Sequence, residues 1–201
     1  MCNLYRTDKS AAEVARWFGS DDATAGSNRG AEIYPGYPGL VVAGGKLRQM
    51  SWGFPLPQIS RKTGKPIKPK AVNNARSDRL ATPFWKSSFE HRRCLIPVSA
   101  FAEAEGEPGR MTRTWLSLPG QPLFACAGIW RDSDEWGPVY SMVMTDPGEA
   151  TAGVHDRMPV ILRPEAQGVW VGGSPAEAFG LCVPYEGAVA IERTAVPWVA
   201  R

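Results

Sequence analysis

Cys94-Leu95-Ile96-Pro97-Val98 is an unbroken apolar run, and Phe124-Ala125-Cys126-Ala127-Gly128-Ile129-Trp130 is a second. Apolar runs of this length, bounded by turn signals, read as buried strands. Between them, Glu103-Ala104-Glu105-Gly106-Glu107-Pro108-Gly109 reads as an acidic turn. Working outward, residues 140–145 form a further strand that ends in Asp146-Pro147-Gly148, and residues 160–162 a shorter one. On the N-terminal side, residues 40–43 and 47–52 read as two strands joined through Gly44-Gly45, a hairpin signal. Residues 181–184 and the tail to Val199 read as edge strands or loop, and residues 21–30 as a polar loop. Helical patterns are short. Ala11, Val14, Ala15 and Phe18 share one face over residues 10–18, with Ser10 as N-cap and Gly19 as stop. A second helix opens near Pro83 within residues 79–89, and a third runs from Arg163-Pro164-Glu165 through Val171. Strands therefore dominate. The expected fold is α+β: a single domain over residues 1–201, with a curved, barrel-like mixed β-sheet and a few short helices.

The bulk properties agree. The chain is 43% hydrophobic and carries eight Trp, seven Phe and five Tyr, enough for a substantial core. Charged residues make up 21%, which argues against disorder. The four cysteines, Cys2, Cys94, Cys126 and Cys182, form no CxxC pair, and no secretory signal is evident, so reduced thiols and a cytoplasmic location are expected. No apolar run approaches the ~20 residues of a membrane span. His91 and His155 lack ligand spacing to the cysteines, so no zinc site is expected, and nothing implies an organic cofactor.

Net charge is only +3, but it is unevenly placed. The segment Arg61-Lys62-Thr63-Gly64-Lys65-Pro66-Ile67-Lys68-Pro69-Lys70 carries five positive charges and no acid. It reads either as a phosphate-binding surface or as a solvated loop that aids solubility.

Three polar islands and one terminal residue carry candidate chemistry. Cys2 follows the initiator methionine, and trimming of Met1 would leave an α-amine and a thiol on one residue. An α-amine titrates at roughly 7.7–8.0, so near neutral pH much of it is nucleophilic. The pair can condense with an aldehyde to an imine and close through sulfur to a thiazolidine. It can equally serve an N-terminal-nucleophile hydrolase, or be an incidental residue after Met1. The first island is Asn73-Asn74-Ala75-Arg76-Ser77-Asp78, where Arg76 offers a planar fork to phosphate, or is an exposed arginine in a turn. In the second, Phe101-Ala102-Glu103, Glu103 follows the buried strand and is flanked by small residues. Desolvation there would raise its pKa and suit it to general acid–base work. The third, Val154-His155-Asp156-Arg157-Met158-Pro159, holds a histidine that titrates in the physiological range, or one that merely hydrogen-bonds a turn.

In this order the islands resemble the SRAP family, "SOS response-associated peptidase", whose members crosslink to abasic sites in single-stranded DNA. The family opens with Met-Cys. Its Asn-Ala-Arg is matched by Asn74-Ala75-Arg76, its Arg-Cys-Leu-Ile-Pro by Arg93 to Pro97, and its Phe-x-Glu by Phe101-Ala102-Glu103. Ala127-Gly128-Ile129-Trp130, Trp52-Gly53 and His155 to Pro159 match three further motifs. The family usually continues Met-Cys-Gly-Arg, where this chain has Asn3-Leu4 and offers Arg6 as the nearest cation. Its Asn-x-Ala-Pro is here Tyr34-Pro35-Gly36-Tyr37-Pro38, and its Trp after the glutamate is Ala104. The resemblance implies an abasic-site crosslinking or lyase-type enzyme that needs no metal or cofactor and can remove its own methionine. In that implied scheme Cys2, Asn74, Glu103 and His155 are catalytic. Arg76, Lys65, Lys68 and Lys70 hold phosphates, and Trp52 and Phe54 stack or wedge against bases. The partner is single-stranded DNA with an abasic site, bound by a monomer. The rivals are a cysteine peptidase acting on other proteins and a non-catalytic single-strand binding module.

Overall fold

The two apolar runs pair with each other. In the computed structural model, which describes residues 2–24 and 30–198, Arg93–Val98 and Phe124–Ser133 lie antiparallel, with Cys126 opposite Ile96. Phe124–Ser133 pairs on its other side with Gly137–Thr145. Arg93–Val98 meets Pro38–Ala43 at Leu95 and Val42, and Pro38–Ala43 turns back into Lys46–Trp52. Lys46–Trp52 then runs parallel to Gly137–Thr145 through Ser51–Val139 and Trp52–Tyr140. Five strands thus close on themselves, and the sheet is mixed, as expected from the sequence. The Gly44-Gly45 turn has φ of +58° and +73°, the left-handed pair that a two-residue hairpin requires.

Side-chain alternation explains why the runs are unbroken. Cys94, Ile96, Val98, Cys126, Tyr140 and Met142 belong to one buried cluster, which also holds Trp52 and Cys2. Leu95, Ala125, Ala127, Ile129, Val139 and Val143 belong to another, covered by Val14, Trp85, Phe89 and Trp170 from the helices. A strand buried on both faces has no polar face to interrupt it. The covering helices are Ala11–Trp17, Lys86–His91, Pro164–Gly172 and Pro175–Gly180. Ser10 caps the first in a reciprocal box with Glu13. The Arg93 guanidinium, buried beneath the second and third, donates to Phe89 O, Glu90 O, Trp170 O and Gly173 O. It so satisfies carbonyls at two helix C-termini. No helix among the described residues is long and apolar enough to cross a membrane.

A second sheet stands beside the barrel in the order Ala190–Pro197, Thr112–Ser117, Ala100–Glu105, Leu4–Arg6, Glu32–Ile33. Three sequence expectations change here. Glu103 lies within the strand Ala100–Glu105, not in a turn, because this strand pairs on both sides, with Leu4 opposite Ala102 and Thr114 opposite Glu103. The strand Thr112–Ser117 and the helix Pro175–Gly180 were not anticipated. The basic segment is loop only in its first half: residues 60–65 form the turn of a two-stranded hairpin, Phe54–Ile59 paired with Pro66–Val72, and the second half lies in that second strand. Part of the expected loop over residues 21–30 is the short strand Asp21–Asp22, and residues 25–29 lie outside the described residues.

Candidate active site

The strand Leu4–Arg6 occupies an inner position of the second sheet, which carries the chain's first residues across to Ala100–Glu105. Cys2 is fully buried. Its carbonyl oxygen accepts Asn74 Nδ2 at 2.7 Å and Asn73 Nδ2 at 3.0 Å, and its thiol points to Leu4 O at 3.4 Å. The asparagines are placed by the barrel. Asn74–Arg76 runs parallel to Gly137–Thr145, with Asn74 beside Met142. Asn73 O accepts both Met142 N and Trp52 Nε1 at 2.9 Å.

Glu103 is on the same face of its strand as Phe101, which is part of the Cys2 cluster, and it is 2% exposed. Burial pushes its carboxyl up to about 7. His155 Nε2 lies 3.9 Å from Glu103 Oε2. The turn after Gly148 presents this histidine, whose N–H reaches Thr151 O, and Met158–Pro159 then anchors to Gly137–Thr145. His155 Nδ1 is 2.8 Å from Asp156 Oδ1 and accepts the Arg157 backbone N–H at 3.1 Å. Burial holds the imidazole below its ordinary pKa. Burial also drives the Cys2 thiol well above its usual range, and the neighbouring Glu103 carboxyl adds to that rise. Near neutral pH the site therefore has a neutral thiol, a neutral imidazole and a carboxyl close to half-ionised. Such a carboxyl can both give and take a proton.

The structure thus brings Cys2, Asn74, Glu103 and His155 together from four distant parts of the chain. Asn73 belongs with them and was missed. Its neighbour already matched a motif, and only the fold reveals that both amides reach one carbonyl. Among the described residues, no group of three or more His, Cys, Asp or Glu side chains is arranged to hold a metal ion.

The expected nucleic-acid contacts divide. Trp52 and Phe54 are both wholly buried, so neither offers a face to a base. Trp52 lies in the inner cluster against Tyr5 and Tyr140, and Phe54 packs on Trp85 with Arg131 over its ring at 4.3 Å. Arg76 is half-exposed, but its fork is filled: Nε and Nη2 donate to Asp78 at 2.9 and 2.7 Å. Arg6 lies with its guanidinium 4.6 Å from the Trp115 ring centre and its Nε 3.2 Å from Asp8. Lys65, Lys68 and Lys70 are exposed along the hairpin that leads into Asn73. A cleft of about 380 Å³ opens beside them, lined by Pro35, Gly36, Ser51, Lys68, Ala71 and the half-buried Trp136. A larger cavity of about 660 Å³ lies at the far edge of the second sheet, around Met111 and Trp198. It borders Ala190–Pro197, three strands from Leu4–Arg6, and is separate from this chemistry.

The chain is similar over 150 residues to the abasic site processing protein YoqW of Bacillus subtilis (strain 168), at 30% identity. That match covers 70% of this chain and 65% of YoqW, so the chain spans just under two thirds of its relative's length. YobE of the same organism, also named an abasic site processing protein, is 29% identical over 70% of this chain and 67% of its own. Among solved structures, a Bacteroides thetaiotaomicron protein superposes with a TM-score of 0.77 at 19% identity, covering 96% of this chain and 91% of that one. A Bordetella bronchiseptica protein gives 0.75 at 20% identity, over 96% and 99%. These two share the fold. The model of the family described as SOS response associated peptidase (SRAP) matches residues 1–197, and the chain belongs to that family.

Proposed function

We propose that this protein processes abasic sites in DNA by forming a covalent link through Cys2 once Met1 has been removed. The observation that carries the reading is the buried Glu103 carboxyl, raised to about 7, beside both His155 and Cys2. The names of the Bacillus relatives support it.

In the proposed sequence the Cys2 amine adds to the aldehyde carbon of the ring-opened abasic deoxyribose. The resulting hydroxyl takes a proton from Glu103 and leaves as water, the nitrogen returns a proton to the Glu103 carboxylate, and an imine remains. The Cys2 sulfur then adds to the imine carbon, its proton passes through the Glu103 carboxylate to nitrogen, and a five-membered thiazolidine closes. One water is released and nothing is oxidised or reduced. His155 serves as the second proton carrier at Glu103. Asn74 holds the Cys2 carbonyl while amine and thiol react. For single-stranded DNA, Lys65, Lys68 and Lys70 supply phosphate contacts, and Trp136 replaces Trp52 and Phe54 as the stacking face beside Lys68. Arg76 joins them by exchanging Asp78 for a phosphate.

The test mixes purified protein, its Met1 status read by intact mass, with a single-stranded oligonucleotide bearing one abasic site. A denaturing gel should show a covalent species that is absent for Cys2→Ala. No such species with the Met1-free protein, or an undiminished one with Cys2→Ala, overturns the reading. Digestion of casein by the same preparation would favour a peptidase instead.

A further inference from the structure

Removal of Met1 creates a mechanical problem. A terminal residue has one peptide neighbour instead of two, and chain ends fray unless they are tied down. The amine and the thiol of Cys2 must both stay free to bond to the same carbon. The only other polar group on that residue is its carbonyl. A carbonyl has two lone pairs, and both are occupied here, by Asn74 Nδ2 and Asn73 Nδ2. The terminus is therefore held by the one handle that the chemistry does not consume.

Asn73 is itself set from both ends. Its backbone oxygen is pinned by Trp52 Nε1 and Met142 N. Its side-chain NH2 has two hydrogens: one goes to Cys2 O and the other to Asn3 Oδ1 at 3.1 Å. Asn3 is exposed, so it contributes little to the core. As placed, its Oδ1 takes the second hydrogen of that NH2, so two acceptors, Cys2 O and Asn3 Oδ1, together favour the NH2 edge of Asn73, rather than its oxygen, towards Cys2. An asparagine turned the other way would set oxygen against oxygen.

We infer that Asn73, oriented by Asn3, is a positioning residue: with Asn74 it clamps the Cys2 carbonyl and so aims amine and thiol at one carbon for ring closure. The inference rests on the reading of Cys2 as the nucleophile. It also gives a purpose to Asn3, the first of the two residues, Asn3 and Leu4, at which this chain departs from Met-Cys-Gly-Arg.

Single-turnover crosslinking against protein concentration separates the maximal rate from half-saturation. Asn73→Ala should lower the maximal rate roughly tenfold with half-saturation unchanged, as expected for one lost hydrogen bond that serves the reacting geometry. Asn3→Ala, at an exposed site, keeps the test alive if Asn73→Ala folds poorly. It should lower the rate roughly threefold. The double variant should be no slower than Asn73→Ala alone, because Asn3 acts only through Asn73. A maximal rate unchanged in Asn3→Ala and Asn73→Ala, or losses that multiply in the double variant, overturns the clamp. The same variants are then treated with formaldehyde, and the rate of Cys2 capping is read by intact mass. If wild type fails to crosslink DNA but is capped by formaldehyde faster than Asn73→Ala, the clamp stands and the abasic-site reading falls. If wild type crosslinks DNA and Asn73→Ala matches it in both assays, the clamp falls and the abasic-site reading stands.

Discussion

Glu103 is where stability and chemistry oppose each other. Its carboxyl is raised from the ordinary 4.5 to about 7 by burial, so the folded state holds the proton more tightly than the unfolded chain. Stability from this group is intact below about pH 4.5 and is lost as pH rises through 7, at a cost of up to about 3 kcal/mol. Glu103→Gln keeps the shape and removes the titration. We expect it to melt roughly 5–10 °C higher than the parent at pH 8, to match the parent at pH 4.5, and to lose most crosslinking. Melting curves from pH 4.5 to 8.5 check this, and a variant whose midpoint falls with pH as steeply as the parent's contradicts it. That Glu103 would be buried was legible, because it follows Cys94–Val98 and lies between two alanines. The roles of Asn73 and Trp52 were not. An indole on a strand points to one face or the other of a barrel, and only closure of Lys46–Trp52 onto Gly137–Thr145 turns Trp52 inward to hold Asn73 O.

At the scale of elements, Gly and Pro punctuation was read correctly where it marked turns and wrongly where it marked irregular pairing. Gly44-Gly45 gave the hairpin, and Ser10 with Gly19 bounded the first helix. Pro66 and Pro69 suggested that the loop ran on through residues that pair as a strand, opposite a partner strand that itself carries Pro55 and Pro57. The hairpin accommodates them because it is only two strands wide, with an outer edge on each strand where a missing N–H goes unnoticed, and because its register shifts between Leu56 and Gln58, across Pro57. The consequence for function is a cationic arm in place of a floppy chain. Lys68 and Lys70, two residues apart, share one face of its second strand. If both hold phosphates, Lys68→Ala/Lys70→Ala should weaken non-covalent binding to single strands and reduce the log–log salt slope by about 0.7 per lysine, with the maximal crosslinking rate unchanged. Fluorescence anisotropy at several salt concentrations measures this. An unaltered slope would remove the hairpin from the DNA path.

For the whole molecule, the decisive junction is the one between barrel and second sheet, since Cys2 is fixed by both: its carbonyl by asparagines of the barrel side, its chain by the strand beside Ala100–Glu105. Composition and periodicity implied a barrel-like sheet but said nothing of this seam, which depends on contacts between residues 71 to 135 positions apart. Tyr5 from the second sheet and Tyr140 from the barrel meet there, hydroxyl to hydroxyl, with Trp52 against both rings. Gly39 faces the pair so closely that a methyl group at its α-carbon would overlap both hydroxyl oxygens. Backbone conformation is not the reason for glycine here, because Gly39 lies within the strand Pro38–Ala43 and lacks a positive φ. The reason is space. Gly39→Ala should therefore destabilise the fold by about 1–3 kcal/mol through overpacking and slow crosslinking, because Tyr5 shares a strand with Leu4 and transmits the shift to Cys2. The specific expectation is rescue. Deleting both hydroxyls in Tyr5→Phe/Tyr140→Phe opens the volume that the methyl needs, so the triple variant should be more stable than the two separate losses would sum to. Denaturant midpoints for the four proteins of this cycle decide it: strictly additive losses would mean that Gly39 is constrained by something other than the tyrosine pair, and the seam would no longer explain how one sheet positions the proposed nucleophile held by the other.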